Sequence, residues 1–518
     1  MSAKIKIGSR GSDLALWQAN FIKNQLENLG QEVEIKIIKT KGDKIQHLSF
    51  DKIEGKGFFT KEIEQALLEK KVDLAVHSHK DLETNSPSGL SVVAVSERED
   101  PSELLLMNKN ALDNTQLWNL KKGAVVGTSS ARRKSQMLFF REDVTIKDLR
   151  GNVPTRVEKL KNGNYDAILL AYAGVSRLGL NLSDFHVVKL PVKWFIPAPA
   201  QGVLALQIRE NDYKLKELLN KINSDYTQQE ISIERKVLNL LDGGCQLPLG
   251  VYCKKENNQT NTWVSIVKPG EKSIFRFYKK NTSAIELVRL INRQFKNDKN
   301  VFISRNLTDQ SFFTKSLKDH KINVIGKSLI EINFLDLEHL PASDWIFFSS
   351  VNSVLSIVEN HKADVTNRKI AAIGKTTATK LHALGLKVDF IGNGNPKKVA
   401  YEFSKILGIE KVFFPVSSKS LRTVQSQIPF EQLLEQVSYT AKEKTKVIAN
   451  CDLYVFTSPS NVHSFFNTNE IDRDQHVIAI GPSTRDALSE YGIQNIEVSW
   501  ESSELSLSDS VIAFFYSN

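Results

Sequence analysis

Residues 241–250 read LDGGCQLPLG, and Cys245 within them is one of only three cysteines in the chain. A thiolate is a soft nucleophile, and the two preceding glycines give the backbone freedom and clear space around it. Taken alone, the same residue reads more readily as a small buried hydrophobe. A second set of residues is spread over five loops: SRGS (Arg10, Ser12), HSHKDL (Lys80, Asp81), GTSSARR (Thr128, Ser129, Ser130, Arg132, Arg133), LRGNVPTR (Arg150, Arg156) and SRLGL (Arg177). Arginine presents a planar fork suited to carboxylate or phosphate. Helix starts add free N–H groups and the positive end of a dipole. One such loop reads as a helix cap with a surface ion pair; five in one chain point to a ligand with several anionic groups. Asp81 is the exception. Among cations it stays ionised, which suits it to stabilising a developing positive charge or handling protons.

The chain that carries these loops has 518 residues, enough for about three or four domains. Its 41% hydrophobic and 25% charged residues are an ordinary globular composition. No apolar run approaches the roughly 20 residues needed to span a bilayer, so no membrane partner is expected. MSAKIKIGSRGSDLALWQ has no apolar signal-peptide core, and three cysteines make no disulfide framework, so a reduced, cytoplasmic protein is expected. Lysine and arginine give a net charge of +10 but are scattered, with no dense basic block or zinc-finger spacing, so no nucleic-acid partner is expected. Cys253 and Cys451 read as small apolar side chains.

The loops must be positioned by alternating strands and helices. KIKIGS reads as a strand, and Ser12 opens a helix whose apolar face is Leu16, Trp17, Phe21, Leu26 and Leu29, ended by Gly30. VEIKIIK and VDLAVHS read as strands and Thr60 to Glu69 as a helix; GAVVGTSS opens another helix, and YDAILLAYAG reads as a strand running into a loop. Near-continuous apolar strands between helices predict parallel sheets covered on both faces, with ligands at the strands' C-terminal ends. ISIERKVLNLL is a helix before the cysteine loop. Strands follow near Val251, Trp263 and Phe275, and a last helix runs from Ser283 to Phe295. The polar KNDKN marks the main boundary. Beyond it, DWIFFSSVNSV…IAAIGKTTATKLHALG is echoed by CDLYVFTSPSNV…VIAIGPSTRDALSEYG, a duplicated strand, turn, helix, strand, turn, helix unit that gives two α/β lobes.

SRGSDLALWQA, GKGFFTKEIEQALLE, AVHSHKDL, VGTSSARRKSQ, LRGNVPTRVEKLKNGNYDAILLAYAGVSRLGL, PAPAQGVLAL and ERKVLNLLDGGCQLPLG together resemble hydroxymethylbilane synthase, also called porphobilinogen deaminase, in that family's order. The resemblance implies an α/β fold of three deaminase domains. Two are like periplasmic binding proteins (1–98 with 198–220, and 99–197), and a small α+β domain (221–297) carries the cysteine. A periplasmic-type binding module would share the first two domains without needing Cys245 or Asp81. The family's cysteine holds a dipyrromethane cofactor covalently, and Cys245 matches it. The implied reaction joins four porphobilinogen molecules head to tail, each losing ammonia to give an electrophilic methylene-pyrrolenine, and hydrolysis then releases hydroxymethylbilane. Asp81 matches the residue that stabilises the cationic pyrrole intermediates. Lys80, Ser129, Arg132, Arg133, Arg150 and Arg156 match positions that bind the cofactor's carboxylates, and Arg10, Ser12, Gln18 and Arg177 match positions for the incoming substrate. Gln207 departs from an acidic residue common in the family, with little consequence expected.

Residues 298–518, through VFISRN, FFSSVNSV, IGKTTATKL, VSYTAKE, FTSPSNV and IGPSTRDAL, resemble uroporphyrinogen-III synthase. That resemblance implies two lobes gripping a carboxylate-rich linear tetrapyrrole. Ser350, Thr377, Ser458, Ser483 and Thr484 are then substrate-binding, and Tyr439 assists loss of the terminal hydroxyl or serves as a core residue. The whole chain reads as a monomeric, metal-free, bifunctional enzyme with small-molecule substrates. The alternative is a catalytic first half joined to a scaffold.

Overall fold

The structure is a computed structural model, and it describes residues 4–40, 60–243, 247–294, 298–318 and 320–517. Cys245, its neighbour Gly244 and the expected helix end at Phe295 lie outside the described residues. The chain divides into two compact units. The first comprises Met1–Asp298, Gln310–Ile322 and Ser502–Asn518, and the second Lys299–Asp309 and Asn323–Glu501.

Two five-stranded sheets lead the first unit. In one, Ile5–Ser9 lies between Val33–Ile37 and Leu74–Ser78, followed by Leu204–Arg209 and Leu90–Val95. In the other the order is Thr145–Lys147, Val125–Gly127, Ala167–Ala171, Glu103–Met107 and His186–Leu190. The expectation of purely parallel sheets is corrected here. Leu204–Arg209 runs antiparallel to both its neighbours, and so does Glu103–Met107. Each is the first strand after the chain crosses from one sheet to the other, so it enters against the direction of its new neighbours.

The two crossings touch where Glu99 N–H donates to the Gly202 carbonyl over 3.1 Å. Gly202 has φ +90°, and a Cβ there would stand 2.2 Å from the Glu99 carbonyl oxygen. Only glycine fits that approach.

The helix Asp13–Glu27 buries Gln18, Ala19, Ile22 and Leu26, with the three apolar members packed on Ile5, Ile7, Leu74 and Val76. The expected face is thus rotated. Trp17 and Phe21 stay half-buried and stack with centroids 5.3 Å apart, and Leu29 is exposed. Sequence spacing gave the helix but not the side that faces the sheet, which is set by packing against strands distant in the chain.

The helix Asp225–Leu240 and the antiparallel sheet Leu249–Glu256, Gln259–Ile266, Phe275–Lys280 complete this portion of the chain. Glu234 ties that sheet to the crossings. Its buried carboxylate accepts from Arg98 Nη1 (2.7 Å), from Ala200 N–H (2.7 Å) and from Cys253 N–H (2.8 Å).

The second unit holds the duplicated halves. One sheet has the order Ile322–Gly326, Lys299–Ile303, Leu453–Phe456, Val477–Ala479, Ile496–Val498. The other has the order Ile330–Phe334, Leu433–Glu443, Val412–Ser417, Trp345–Phe348, Lys369–Ala372, Phe390–Ile391. Ile330–Phe334 and Leu433–Glu443 are the strands by which the chain enters and leaves the second sheet, and they pair antiparallel from Ile330 opposite Glu443 to Phe334 opposite Tyr439. A two-stranded ladder therefore joins the lobes, which a single loop would not hold in fixed register.

Candidate active site

Four of the five loops follow a strand of the first two sheets directly; Arg177, expected in a fifth loop, lies instead in the last turn of the helix Tyr172–Leu178. The turn His79–Asp81 leaves the strand Leu74–Ser78, and Thr128–Ser130 leads from Val125–Gly127 into the helix Ala131–Phe140. Ser130 caps that helix by accepting from Arg133 N–H, which fixes where the two arginines emerge. Leu149–Gly151 leads into Val153–Lys161, capped by Asn152 accepting from Thr155 N–H (2.9 Å), with Pro154 in the first turn where its missing N–H costs nothing. Ser129 stitches the two loops together, donating to the Leu149 carbonyl and accepting from Leu149 N–H, both at 3.0 Å. Arg156 Nε closes the turn on the Gly151 carbonyl at 2.8 Å.

At the centre lies Glu103, a fully buried carboxylate absent from the sequence expectations. Arg132 Nη2 donates to its Oε1 at 2.5 Å and Arg133 Nη2 to its Oε2 at 2.8 Å. Arg132 Nη1 also donates to the Ile196 carbonyl (2.9 Å), and Arg133 Nη1 to the Leu169 carbonyl (3.1 Å). Gln201, from PAPAQG, bridges the two sheets. Its Nε2 donates to Glu103 Oε1 and to the Pro101 carbonyl, while its Oε1 accepts from Lys80 Nζ at 3.1 Å. Burial pushes the Glu103 carboxyl up, but Arg133, Arg132 and Lys80 together outweigh it and hold the group at about 2.

Lys80, Asp81, Arg132, Arg133, Arg150 and Arg156 are thus brought into one electrostatic cluster. Burial lowers the Lys80 ammonium, Asp81 and Glu103 oppose that, and Arg133 and Arg132 reinforce it. Arg156 is pushed down to about 10, by burial first and then by Arg133, with Asp81 opposing and Arg150 adding to the repulsion. Five cations face two carboxylates, and Arg133 Nε is buried without a hydrogen-bond partner. Such a site is under repulsion that added carboxylates relieve. A dipyrromethane, with its acetate and propionate groups, fits this surplus. Asp81 itself is exposed and so faces where a reacting group would enter.

Arg10 and Ser12 follow the first strand and are half-buried, and Ser12 sits at the helix start without a side-chain capping bond. Gln18 Nε2 donates to Ser78 Oγ at 2.9 Å, immediately before the turn that carries Asp81. Arg177 lies over the Trp17 ring, 5.5 Å from its centroid, and donates to the Gly202 carbonyl at 2.7 Å. Trp17 thus meets a cation on the side of the helix away from its buried face. Cys253 is buried, its thiol pushed up to about 12 by burial and then by Glu234, which makes it inert as a nucleophile. Gln207 bonds His77 and Glu64, both at 3.1 Å.

In the second unit, Ser350 caps the helix Val351–Thr366 in a reciprocal box with Ser353, and its Oγ lies 3.0 Å from Tyr439 Oη. Ser458 caps Pro459–Phe466, accepting from Asn461 N–H. Thr377 and Thr484 are buried in the first turns of Lys375–Ala383 and Pro482–Glu490, behind Gly374 and Gly481, while Ser483 is exposed. The two lobes repeat one another residue for residue at these caps, and Ser350 with Tyr439 is the pair the structure joins.

Sequence reasoning missed Glu103 and Gln201. Gln201 lies inside a motif already singled out. Glu103 opens the apolar strand ELLLM, and a charge leading a fully buried strand was the available signal.

A two-sheet α/β protein with a cationic site at its crossing and a duplicated second unit is the class these observations define. The description "Porphobilinogen deaminase, dipyromethane cofactor binding domain" matches residues 5–217, and "Porphobilinogen deaminase, C-terminal domain" matches 228–297. Porphobilinogen deaminase of Nitratiruptor sp. is 48% identical over 256 residues, covering 49% of this chain and 80% of that protein. The deaminase of Oceanobacillus iheyensis is 42% identical over 286 residues (55% and 91%), and that of Bacillus subtilis 42% over 279 (53% and 87%). The chain belongs to the porphobilinogen deaminase family. Its second half carries a further domain, matched over residues 311–508 by "Uroporphyrinogen-III synthase HemD", so two domains of tetrapyrrole biosynthesis are fused.

Glu103→Gln should lower the unfolding free energy near neutral pH by about 3 kcal/mol, because two buried guanidinium groups lose their counter-charge. The folded-state value lies below the unfolded one. The stabilisation is therefore complete above about 4.5 and disappears as pH falls toward about 2. Urea midpoints of wild type and variant should accordingly converge on acidification; a constant gap would exclude the assigned ionisation.

Proposed function

We propose that the first unit is a hydroxymethylbilane synthase primed by a dipyrromethane attached through Cys245, and that the second is a uroporphyrinogen-III synthase acting on its product. The observation that carries the first reading is the cluster of Lys80, Arg132, Arg133, Arg150 and Arg156, with Glu103 at its centre and Asp81 at its exposed edge, in which cations outnumber carboxylates. When bound, the dipyrromethane would supply the free pyrrole α-carbon to which the first porphobilinogen is joined, each added ring then offering the α-carbon for the next. Ser129 and the five cations hold its carboxylates. Arg10 and Ser12 in the loop after the first strand, with Gln18 on the helix Asp13–Glu27 and Arg177 on the helix Tyr172–Leu178, bind the incoming porphobilinogen. Asp81 supplies fixed negative charge where the porphobilinogen pyrrole becomes cationic as ammonia leaves, without reorganisation at the moment of reaction.

For the second unit, capped helix starts in both lobes support a grip on the carboxylates of hydroxymethylbilane by Ser350, Thr377, Ser458, Ser483 and Thr484. Tyr439, hydrogen-bonded to Ser350, donates toward the departing terminal hydroxyl. Among the described residues no helix is long and apolar enough to cross a membrane. We place the enzyme in the cytoplasm as a monomer whose partners are its small-molecule substrates.

The anchor is tested by intact mass. Wild-type protein should exceed its sequence mass by one dipyrromethane and colour with Ehrlich's reagent. Cys245→Ala should lose both signals, and Cys253→Ala and Cys451→Ala should keep them; unmodified, fully active wild type would sink the assignment.

Asp81→Asn keeps shape and removes charge. Such a loss typically costs on the order of 10²–10³ in rate, so the variant should be folded and cofactor-bearing but slower to that extent. Near-normal porphobilinogen consumption would remove Asp81 from the mechanism.

The second activity is read in the product isomer. Free hydroxymethylbilane closes unaided to the symmetrical type I ring, so the intact chain should give mainly type III after oxidation. Tyr439→Phe should shift the product toward type I while porphobilinogen is still consumed. If wild type gives only type I, the second half is a scaffold.

A further inference from the structure

Arg276, on the strand Phe275–Lys280, is completely buried, and so is Asp509 on the chain's last helix, Glu504–Ser517. Arg276 Nε donates to Asp509 Oδ1 at 2.8 Å and Nη2 to Oδ2 at 3.0 Å. The remaining donors reach back into the deaminase. Nη1 bonds the Trp194 carbonyl at 2.8 Å and Nη2 the Lys193 carbonyl at 3.0 Å. Two residues further on, the Ile196 carbonyl accepts from Arg132 Nη1 (2.9 Å) and Gln136 Nε2 (2.8 Å), and Ile196 N–H donates to Gln136 Oε1 (2.6 Å). The segment Lys193–Ile196 is therefore gripped from one side by Arg276 and on the other supplies an acceptor that orients Arg132.

The packing runs the same way. Leu505 shares a core with Met137, Phe140 and Phe195, and Met137 and Phe140 lie on the helix that presents Arg132. At the far end of the last helix, Tyr516 lies 4.5 Å from Phe275 between ring centroids, bonds His320 through its hydroxyl (3.0 Å), and takes Arg293 Nη1 on its carbonyl (3.1 Å). The helix thus belongs with the first unit although the whole second unit separates it from that unit in sequence.

We propose that Asp509 is a positioning residue for the deaminase reaction: from the C-terminal helix it fixes Arg276, Arg276 fixes Lys193–Ile196, and that segment sets the placement of Arg132. A buried ion pair is weak as a stabiliser, since apolar residues of similar volume often replace one without loss. What an apolar pair cannot do is aim two donors at the carbonyls of Lys193 and Trp194. The inference rests on the deaminase reading of the cationic cluster. It also means that the polar stretch at 296–300 is no clean division, because a chain ending there lacks the partner of a buried arginine.

The test uses full-length protein in three forms: wild type, Asp509→Asn, and the apolar exchange Arg276→Met with Asp509→Leu. Asp509→Asn should lower the thermal midpoint on the order of 10 °C. Below that transition, its kcat for porphobilinogen consumption should fall about tenfold or more, with type III cyclisation of supplied hydroxymethylbilane unchanged. The apolar exchange should recover much of the midpoint but not the kcat. Hydrogen exchange across Ala131–Phe140, which needs no turnover, should be faster in both variants. A wild-type kcat and wild-type exchange in either folded variant would overturn the proposal. Failure of wild type itself to consume porphobilinogen would instead overturn the deaminase reading, and the exchange data would still decide the coupling.

Discussion

Charge crowding is the constraint to which the first unit answers. Lys80, Arg132, Arg133, Arg150 and Arg156 come from loops of two different sheets and would repel one another in a partly desolvated site. Glu103 makes the arrangement tolerable. One buried carboxylate divides its two oxygens between Arg132 and Arg133, and Gln201 extends that bonding to Lys80 on the other sheet. The neutralisation is incomplete, and on the proposed reading the residual positive charge would favour a carboxylate-bearing ligand. Asp81 stands at the exposed edge of that field, where the proposal has it meet positive charge developing during reaction.

The same logic of buried pairs recurs further from the cluster. Glu234 collects Arg98 and the backbone N–H groups of Ala200 and Cys253. Arg276 collects Asp509 and two carbonyls. Each joins a crossing between the first two sheets to the small antiparallel sheet. At these crossings Gly202 allows the chain to touch backbone to backbone. The cationic site is thereby held through hydrogen bonds with direction, which apolar packing alone would not supply.

The second unit relies on a different device. Its polar side chains are mostly caps: Ser350 and Ser458 accept from N–H groups in the first turns of matching helices, and Thr377 and Thr484 occupy equivalent buried positions behind glycines. Duplication places these helix starts in pairs, and the antiparallel ladder Ile330–Phe334 with Leu433–Glu443 fixes the register at which Tyr439 meets Ser350. Directed N–H groups and hydroxyls, more than fixed charge, are what this unit offers a polycarboxylate.

Sequence determined what local rules can reach. Strands such as KIKIGS and VDLAVHS, capped helix starts, the duplicated pattern and the Ser- and Arg-bearing loops all follow from periodicity, capping and turn chemistry acting over a few residues. The family motifs then assigned roles to Arg132, Arg133 and Asp81. Tertiary structure alone decided which side of Asp13–Glu27 is buried, because the strands it packs on and the Arg177 beside Trp17 come from distant parts of the chain. It decided the antiparallel sense of Leu204–Arg209 and Glu103–Met107, since strand direction depends on which sheet the chain enters next. It also decided that Glu103 serves two arginines and that Asp509, near the C-terminus, serves Arg276. A buried carboxylate has no local signature: its energy is set by the cations that folding brings around it, and these are set by topology rather than by neighbours in the chain.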